Sequence, residues 1–282
     1  MTDSTEESEL SFWGWGYSHK IPDDEERREL ADMVETYLGF PERPMLDMPT
    51  LEDIDLPPSN VEPPFGFCST DDGARAHHTY GKGYRDLVRG FHGDFSSAPD
   101  AVACPETEEG IAELLSWASE ENVAVVPFGG GTSVVGGVEC EGEDFDGVVS
   151  LDVRNLDEVL EVDHVSRSAR IQAGATGPRL QEQLKEHGMR LRHYPQSYEF
   201  STLGGWLATH AGGHFATVYT HIDDFVENVR MVAPTGSVET RRLPSSGAGP
   251  DPNSLLLGSE GAFGVFTEAW MKVQPRPEYR AK

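Results

Sequence analysis

The chain has 282 residues, with 49 Asp and Glu against 22 Lys and Arg, so its formal net charge at pH 7 is -27. A surface this acidic repels nucleic acid and anionic lipid, which excludes both as electrostatic partners. No apolar run approaches the length of a membrane span, and the start, "MTDSTEESEL", lacks the basic flank and apolar core of a signal peptide. We therefore expect a cytoplasmic protein. Its acidity suits a salt-rich cytoplasm, and the alternative is an acidic protein of an ordinary cytoplasm.

The first 96 residues are expected to form an N-terminal arm with a helical segment. The aromatic run "FWGWGY", residues 12–17, would bury much apolar surface by packing against the body of the protein. The spacing over residues 23–40 predicts an amphipathic helix that stops at Gly39. Residues 41–75 are rich in Pro and Asp and are expected to be irregular. The pattern over residues 83–95 is ambiguous and is compatible with a short helix.

Helices and strands are mixed in the remaining segment, residues 97–282. Strands are predicted at 101–104, 123–128, 148–152, 159–163, 169–173 and 265–273, and helices at 107–120, 177–187, 202–211 and 254–258. Residues 229–240, around "PTG", are typical of a β-hairpin. The elements do not follow a strict β-α-β order, which favours an α+β fold over a doubly wound sheet.

One uncharged stretch, "VVPFGGGTSVVGGVE" at residues 125–139, follows a predicted strand; its first fourteen residues carry no charge. The amides of Gly129, Gly130 and Gly131 can turn toward an anion, because glycine permits the left-handed and turn conformations that this requires. No Gly-Lys-Ser/Thr follows, and Val134 occupies the last position of the GxGxxG spacing, so neither common nucleotide motif fits. On this motif alone, a glycine-rich turn without a ligand remains an alternative.

Two further segments favour a cofactor site. "YPQSYEFSTLGGWLATHAGG", residues 194–213, runs into a helix whose small residues would let a flat ring come close. "LLLGSEGAFGVFTEAWMKV", residues 255–273, places three glycines in a loop that leads into a strand. Each alone is compatible with a packing turn, but the three in this order point to one extended ligand.

These segments resemble the three FAD-contacting segments of the vanillyl-alcohol oxidase / p-cresol methylhydroxylase superfamily. Within it, "SFWGWGY", "EFSTLGGW" and "HIDDFVENVRMVAPTG" are similar to the alkyldihydroxyacetonephosphate synthase family, and the glycolate-oxidase-like and D-lactate-dehydrogenase-like flavoenzymes come next. The resemblance implies an α+β, two-subdomain FAD-binding (PCMH-type) domain preceded by an N-terminal helical and irregular arm. It also implies noncovalent FAD, since the glycine-rich loop lacks the histidine that tethers FAD in some relatives.

The resemblance assigns residues to parts of the cofactor. Residues 127–133 would wrap the pyrophosphate, the segment from 195 to 211 would line the flavin and ribityl chain, and residues 260–266 would approach the adenosine and the ring edge. The predicted cofactor-binding residues are Pro127, Phe128, Gly129, Gly130, Gly131, Thr132, Ser133, Pro195, Gln196, Ser197, Ser201, Thr202, Gly204, Gly205, Ala208, Thr209, His210, Ala211, Glu260, Gly261, Gly264, Val265 and Phe266. The chain departs from the synthase family at His210, where that family has an arginine.

The function implied is that of the FAD-binding portion of a flavoenzyme that oxidises a 2-hydroxy acid or alcohol. One alternative is the non-redox alkyl transfer of ether-lipid synthesis, and another is a non-catalytic binding protein. No catalytic residue is assigned, because substrate-selecting residues of the superfamily are expected in a cap domain that follows the FAD domain. The expected partners are a small-molecule substrate and either a separate cap polypeptide or a second copy of the chain.

Other candidate sites are weaker. His210, His214 and His221 have spacings that could hold a metal, but no HExxH carboxylate accompanies them and two glycines interrupt the helix, so no metal is predicted. Three widely spaced cysteines predict reduced thiols rather than a disulfide framework. His77 and His78 are expected on the surface. Glu199 and Glu260 could form an acid/base pair, but each is more simply expected to fix its own loop.

Overall fold

A computed structural model of the chain describes residues 9–41, 43–142, 144–214, 221–243, 247 and 249–279. The mixed helices and strands confirm the predicted α+β class, and they build two sheets, each with its own hydrophobic core. Within the described residues, no helix has the length and apolar character needed to cross a lipid bilayer.

The first sheet has four strands in the order β1-β2-β4-β3, namely β1 (Cys68–Ser69), β2 (Ala101–Ala103), β4 (Gly147–Asp152) and β3 (Val123–Phe128). β2, β4 and β3 are parallel, and β1 is antiparallel to β2. The crossover from β2 to β3 is α4 (Glu108–Glu120), which begins where the Thr107 hydroxyl accepts a hydrogen bond from the Gly110 amide at 3.2 Å. Its apolar face is buried against the sheet through Ile111 and Leu114.

The second sheet is antiparallel throughout, in the order β5-β6-β10-β8-β9. Its strands are β5 (Val159–Asp163), β6 (Ser168–Gln172), β8 (Val226–Ala233), β9 (Gly236–Glu239) and β10 (Val265–Lys272). The helices α5 (Gly177–Glu186), α6 (Leu203–Ala208) and α7 (Pro252–Leu256) accompany it, and β7 (Met189–Arg190) pairs with β11 (Gln274–Pro275). The predicted hairpin is confirmed as β8 and β9.

A partly exposed ion pair joins α4, which packs on the first sheet, to the second sheet. Glu108, at the start of α4, accepts hydrogen bonds from Arg230 of β8 at 2.8 Å and from the Thr267 hydroxyl of β10 at 3.1 Å. Val232 and Val265 of the second sheet also belong to the core under the first sheet. The two halves are therefore held together both by apolar contact and by a bidentate arginine–carboxylate pair.

The N-terminal arm packs through its aromatic run, as expected. Within the arm, the ring of Phe12 lies 5.6 Å from that of Phe95, and Trp13 lies 5.4 Å from Phe91. The contact with the rest of the chain is made by Tyr17, whose ring lies 5.5 Å from that of Phe200. The predicted helix is α1 (Asp24–Leu38), with a capping box at Asp23 and a left-handed Gly39 at its end. Its apolar face is exposed rather than packed, and consists of Leu30, Met33, Val34, Tyr37 and Leu38.

Some elements differ from the expectations. Residues 41–75 were expected to be irregular, but they contain β1 and the start of α2 (Asp72–His77). The short helix that the sequence allowed within residues 83–95 is present as α3 (Tyr84–Phe91). β1 has two residues and is held by its pairing with β2, so it has no periodic signal of its own. α6 ends at Ala208, three residues earlier than predicted, and α7 begins two residues earlier than predicted.

Candidate cofactor site

Three segments that are distant in sequence meet around a cavity of about 410 Å³. They are the glycine loop (residues 129–138) after β3, the turn and helix from residue 195 to 211, and the loop that leads into β10. The cavity therefore lies where the carboxyl end of a parallel strand meets the second sheet, which is the edge at which open sheets bind ligands.

The amides of Gly129, Gly130, Gly131, Thr132 and Ser133 donate no hydrogen bond to any of the described residues. The hydroxyl oxygen of Ser133 accepts from the amides of Val135 and Gly137, at 3.4 and 3.0 Å, so the loop bends back on itself beyond that point. Consecutive amides that have no acceptor in the protein and lie beside a cavity form an anion site, because each N–H carries a partial positive charge. Such a site can bind an anion without a lysine or arginine side chain.

Close packing explains why the loop needs glycine. A Cβ on Gly130 would collide with the carbonyl of Phe200, and one on Gly129 would collide with the Thr202 hydroxyl. Gly131 has φ +61° and lies against the ring of Phe128, so a side chain there would be both strained and blocked. The loop is thus pressed between its own strand and the turn that precedes α6.

The opposite wall is fixed by local hydrogen bonds. The Thr202 hydroxyl caps α6 by accepting from the Gly205 amide at 3.2 Å, and Trp206 Nε1 donates to the Ser201 hydroxyl at 2.7 Å. Glu260 has φ 48°, and its amide donates to the Ala208 carbonyl at 2.9 Å, so it fixes its own loop as expected. Among the described residues of the lining, Glu260 is the one with a charged side chain.

The structure brings together every predicted cofactor-binding residue except Gln196 and His210. Gln196 is exposed on the turn. His210 has φ 52°, its Nε2 lies 3.2 Å from an oxygen of Asp223, and its ring stacks on His221 at 5.5 Å. The left-handed backbone turns His210 away from the cavity, although Thr209 and Ala211 on either side of it line the cavity, so the resemblance assigned it together with them.

Sequence reasoning missed several lining residues: Val134, Val135, Gly137, Val138, Val153 and Trp206. The first four continue the uncharged stretch, so the absence of charge to Val138 was the signal that could have found them. Val153 directly follows β4 and had no signal of its own. Trp206 packs in the core, at 2% exposure, and also reaches the cavity.

The expectation that His77 and His78 lie on the surface was wrong for His78, which is 4% exposed, whereas His77 is half-buried; both rings pack against Phe128 at the end of β3. Burial, with the nearby charges of His78, Arg154 and Lys82, lowers the pKa of His77 to about 3. His78 Nδ1 donates to the Ala74 carbonyl at 2.7 Å, and its Nε2 lies 3.1 Å from Asp152. The sequence around His77 and His78 could not indicate that Asp152 is the partner of His78, because the two residues are 74 positions apart.

Asp152 ends β4 and is 4% exposed. Its Oδ2 accepts hydrogen bonds from Arg154 Nη2 at 2.6 Å and from Nε at 2.9 Å, and Oδ1 accepts from the Arg154 amide at 2.9 Å. Burial by itself would raise the pKa of Asp152, but the hydrogen bonds from His78 and Arg154 outweigh it and hold the pKa at about 2. The carboxylate is therefore ionised at neutral pH.

Comparison with known proteins agrees with this geometry. A family model described as "FAD binding domain" matches residues 99–241. The chain is 44% identical over 206 residues to alkyldihydroxyacetonephosphate synthase of Dictyostelium discoideum, covering 73% of this chain and 33% of that protein. It is 32% identical over 186 residues to glycolate oxidase subunit GlcD of Bacillus subtilis, covering 65% of this chain and 39% of that protein.

A solved structure of alkyldihydroxyacetonephosphate synthase superposes with a TM-score of 0.83 at 34% identity, covering 96% of this chain and 55% of that one. The chain thus spans between a third and about half of the length of these relatives.

Proposed function

Because this chain belongs to the FAD-binding domain family of flavoenzymes, we propose that it carries the cofactor of an enzyme of the alkyldihydroxyacetonephosphate synthase type, which transfers an alkyl group without net oxidation. Bound FAD would supply the reactive ring; the chain supplies its binding and orientation. The proposal favours synthase-type transfer over oxidation because the identity to the synthases is higher than that to the glycolate oxidase subunit.

One observation supports the cofactor assignment above all. Five consecutive amides without an acceptor among the described residues, from Gly129 to Ser133, border a cavity whose described lining residues include no lysine or arginine. In a protein of net charge -27, a diphosphate must be bound by local geometry because the overall field repels it. The glycine loop would hold the diphosphate, and the small residues Gly204, Gly205 and Ala208 would let the flat ring lie along α6. The set of residues therefore fits FAD in charge and in shape.

A flavin titration tests the cofactor assignment. We expect the purified chain to be yellow, or to quench flavin fluorescence as FAD is added, and we expect ADP to compete because it shares the diphosphate. A colourless preparation that binds neither FAD nor ADP would refute the site.

A second experiment, on a protein that includes the expected cap domain, separates the two reactions once FAD is bound. For synthase-type transfer, isotopically labelled long-chain alcohol should displace the acyl group of an acyl glycerone phosphate, so that the label enters the ether product and a fatty acid is released in the absence of any electron acceptor. For oxidation, D-lactate or glycolate should bleach the flavin absorbance under anaerobic conditions. Bleaching without incorporation of label would overturn the synthase assignment while leaving the cofactor assignment intact.

A further inference from the structure

The glycine loop rests on the ring of Phe128, which is 1% exposed at the end of β3. Gly131 folds directly over this ring, so closely that a Cβ on Gly131 would collide with the ring edge. On another side, the Lys82 amide donates to the Ser133 carbonyl at 2.6 Å, and Gly81 allows that approach. The position of the loop is therefore set by how firmly the phenyl ring is held.

The ring of Phe128 is held by a group of ionic residues that lies outside the cavity lining. The His78 ring packs on it with centroids 4.3 Å apart, and the Arg154 guanidinium lies 5.7 Å from its centroid. Asp152 connects these two residues, 3.1 Å from His78 and 2.6 Å from Arg154. We refer to His78, Asp152 and Arg154 as the ion cluster.

The cluster also joins three elements. His78 follows α2, Asp152 ends β4, and the Arg154 amide is itself bonded to Asp152, while the Val153 amide donates to the Phe128 carbonyl at 3.0 Å. A hydrogen-bonded cluster in a region of low dielectric is stiff, because loss of any one partner leaves a buried charge unpaired. A ring fixed in this way gives the loop a firm base.

We propose that the ion cluster positions the glycine loop for the diphosphate of FAD by holding Phe128, so that His78, Asp152 and Arg154 are positioning residues of the cofactor site although none of them lines the cavity. This inference rests on the proposed function. The loop amides bind a diphosphate only when they converge, so an ordered base lowers the entropic cost of binding. The cluster thus acts on affinity for FAD through the shape of the loop.

Three variants test the proposal. D152N removes the charge that joins the cluster, and R154A removes the most exposed side chain of the three, at 30% against 5–6% for the other two. The control is D100N. Asp100 is buried to a similar degree, at 7% exposure, and accepts amide hydrogen bonds from Asn60 and from Val148 near the start of β4, so it lies at the opposite end of the same strand.

For each variant that circular dichroism shows to be folded, the dissociation constant for FAD is measured by fluorescence titration, together with the thermal midpoint without FAD. We expect D152N and R154A to raise the dissociation constant by about tenfold or more, which corresponds to about 1.4 kcal/mol. D100N should lower the thermal midpoint but change the dissociation constant less than about twofold. The double variant D152N/R154A should lose no more binding free energy than the sum of the losses in the two single variants, because both substitutions act through Phe128.

The proposal is overturned if a folded R154A binds FAD like the wild type, or if D100N weakens binding as much as D152N does. If D152N does not fold, R154A decides alone. Failure of the wild-type chain to bind FAD would instead refute the cofactor assignment, so the two failures are distinguishable.

Discussion

Gly205 shows at the scale of one residue how the cavity is kept open. It lies inside α6 on the cavity wall, and a Cβ there would meet only the Thr202 hydroxyl at an ordinary 3.4 Å. Glycine in a helix costs about 1 kcal/mol relative to alanine, so the residue is retained at a cost in helix stability. The neighbouring Gly130 differs, since its Cβ would strike the Phe200 backbone and disturb the fold itself.

We therefore expect Gly205→Leu to leave the stability of the protein without FAD unchanged or slightly higher, while raising the dissociation constant for FAD by about tenfold or more. Urea unfolding and fluorescence titration measure the two quantities. Ala112→Leu, on the exposed face of α4, is the matched control and should change neither. Wild-type affinity in Gly205→Leu would show that the cofactor does not approach α6.

The lowered pKa of buried His193 leads us to expect that the free energy of unfolding decreases in acid. His193 is 1% exposed, and burial, together with the nearby His221, lowers its pKa to about 4. Since the unfolded chain takes up this proton near pH 6.5, the unfolded state binds more protons between pH 6.5 and 4, and stability falls as pH falls through that window. We expect a contribution of up to about 1.4 kcal/mol per pH unit.

The measurement is the free energy of unfolding in urea from pH 7 to pH 4.5. His193→Leu should reduce the slope, because the leucine takes up no proton. His19→Leu, at an exposed position in the arm, should leave the slope as it is in the wild type. An unchanged slope in His193→Leu would mean that His193 is already protonated in the folded state.

At the scale of elements, the parts that sequence could predict are those whose signal is local. α4 matches residue for residue from its cap to Glu120, because Thr107 supplies the cap hydroxyl and the apolar period continues without interruption. β3 has the predicted ends as well. By contrast, β1 is defined by its partner strand, and the residue at the end of α2, His78, contacts Asp152 across 74 residues, so neither could be predicted from a local pattern.

The exposed face of α1 leads to a prediction at this scale. Leu30 is 48% exposed, whereas Leu114 in α4 is fully buried at 0%. Leu114→Ala should lower the free energy of unfolding by about 2–5 kcal/mol, because it leaves a cavity in the core. Leu30→Ala should change it by less than about 0.5 kcal/mol. Urea unfolding at two protein concentrations checks both, and a large, concentration-dependent effect of Leu30→Ala would show that another molecule covers this face.

At the scale of the whole molecule, charge is the dominant property. With a net charge of -27, the folded chain repels itself and its anionic cofactor at low salt. We expect raising KCl from about 0.05 M to about 1 M, where the Debye length falls to about 3 Å, to increase both the thermal midpoint and the affinity for FAD. A midpoint that falls as KCl rises would contradict a role for self-repulsion.

The order of the predicted helices and strands was enough to predict the class of fold, and the resemblance of the three glycine-containing segments predicted most of the cavity wall. They could not give the orientation of His210, because a single left-handed residue reverses where a side chain points without altering the pattern around it. They also could not give the ion cluster, whose members carry no shared motif and are joined only by the arrangement of α2 and β4.

The cavity walls come from segments centred more than a hundred residues apart along the chain, from Pro127 to Phe266. A ligand that contacts all of these segments holds distant parts of the chain together without a covalent bond. By mass action, free FAD at a hundred times its dissociation constant would add about 2.7 kcal/mol to the free energy of unfolding. A larger supply of flavin would then leave less of this domain unfolded and so less of it open to proteolysis.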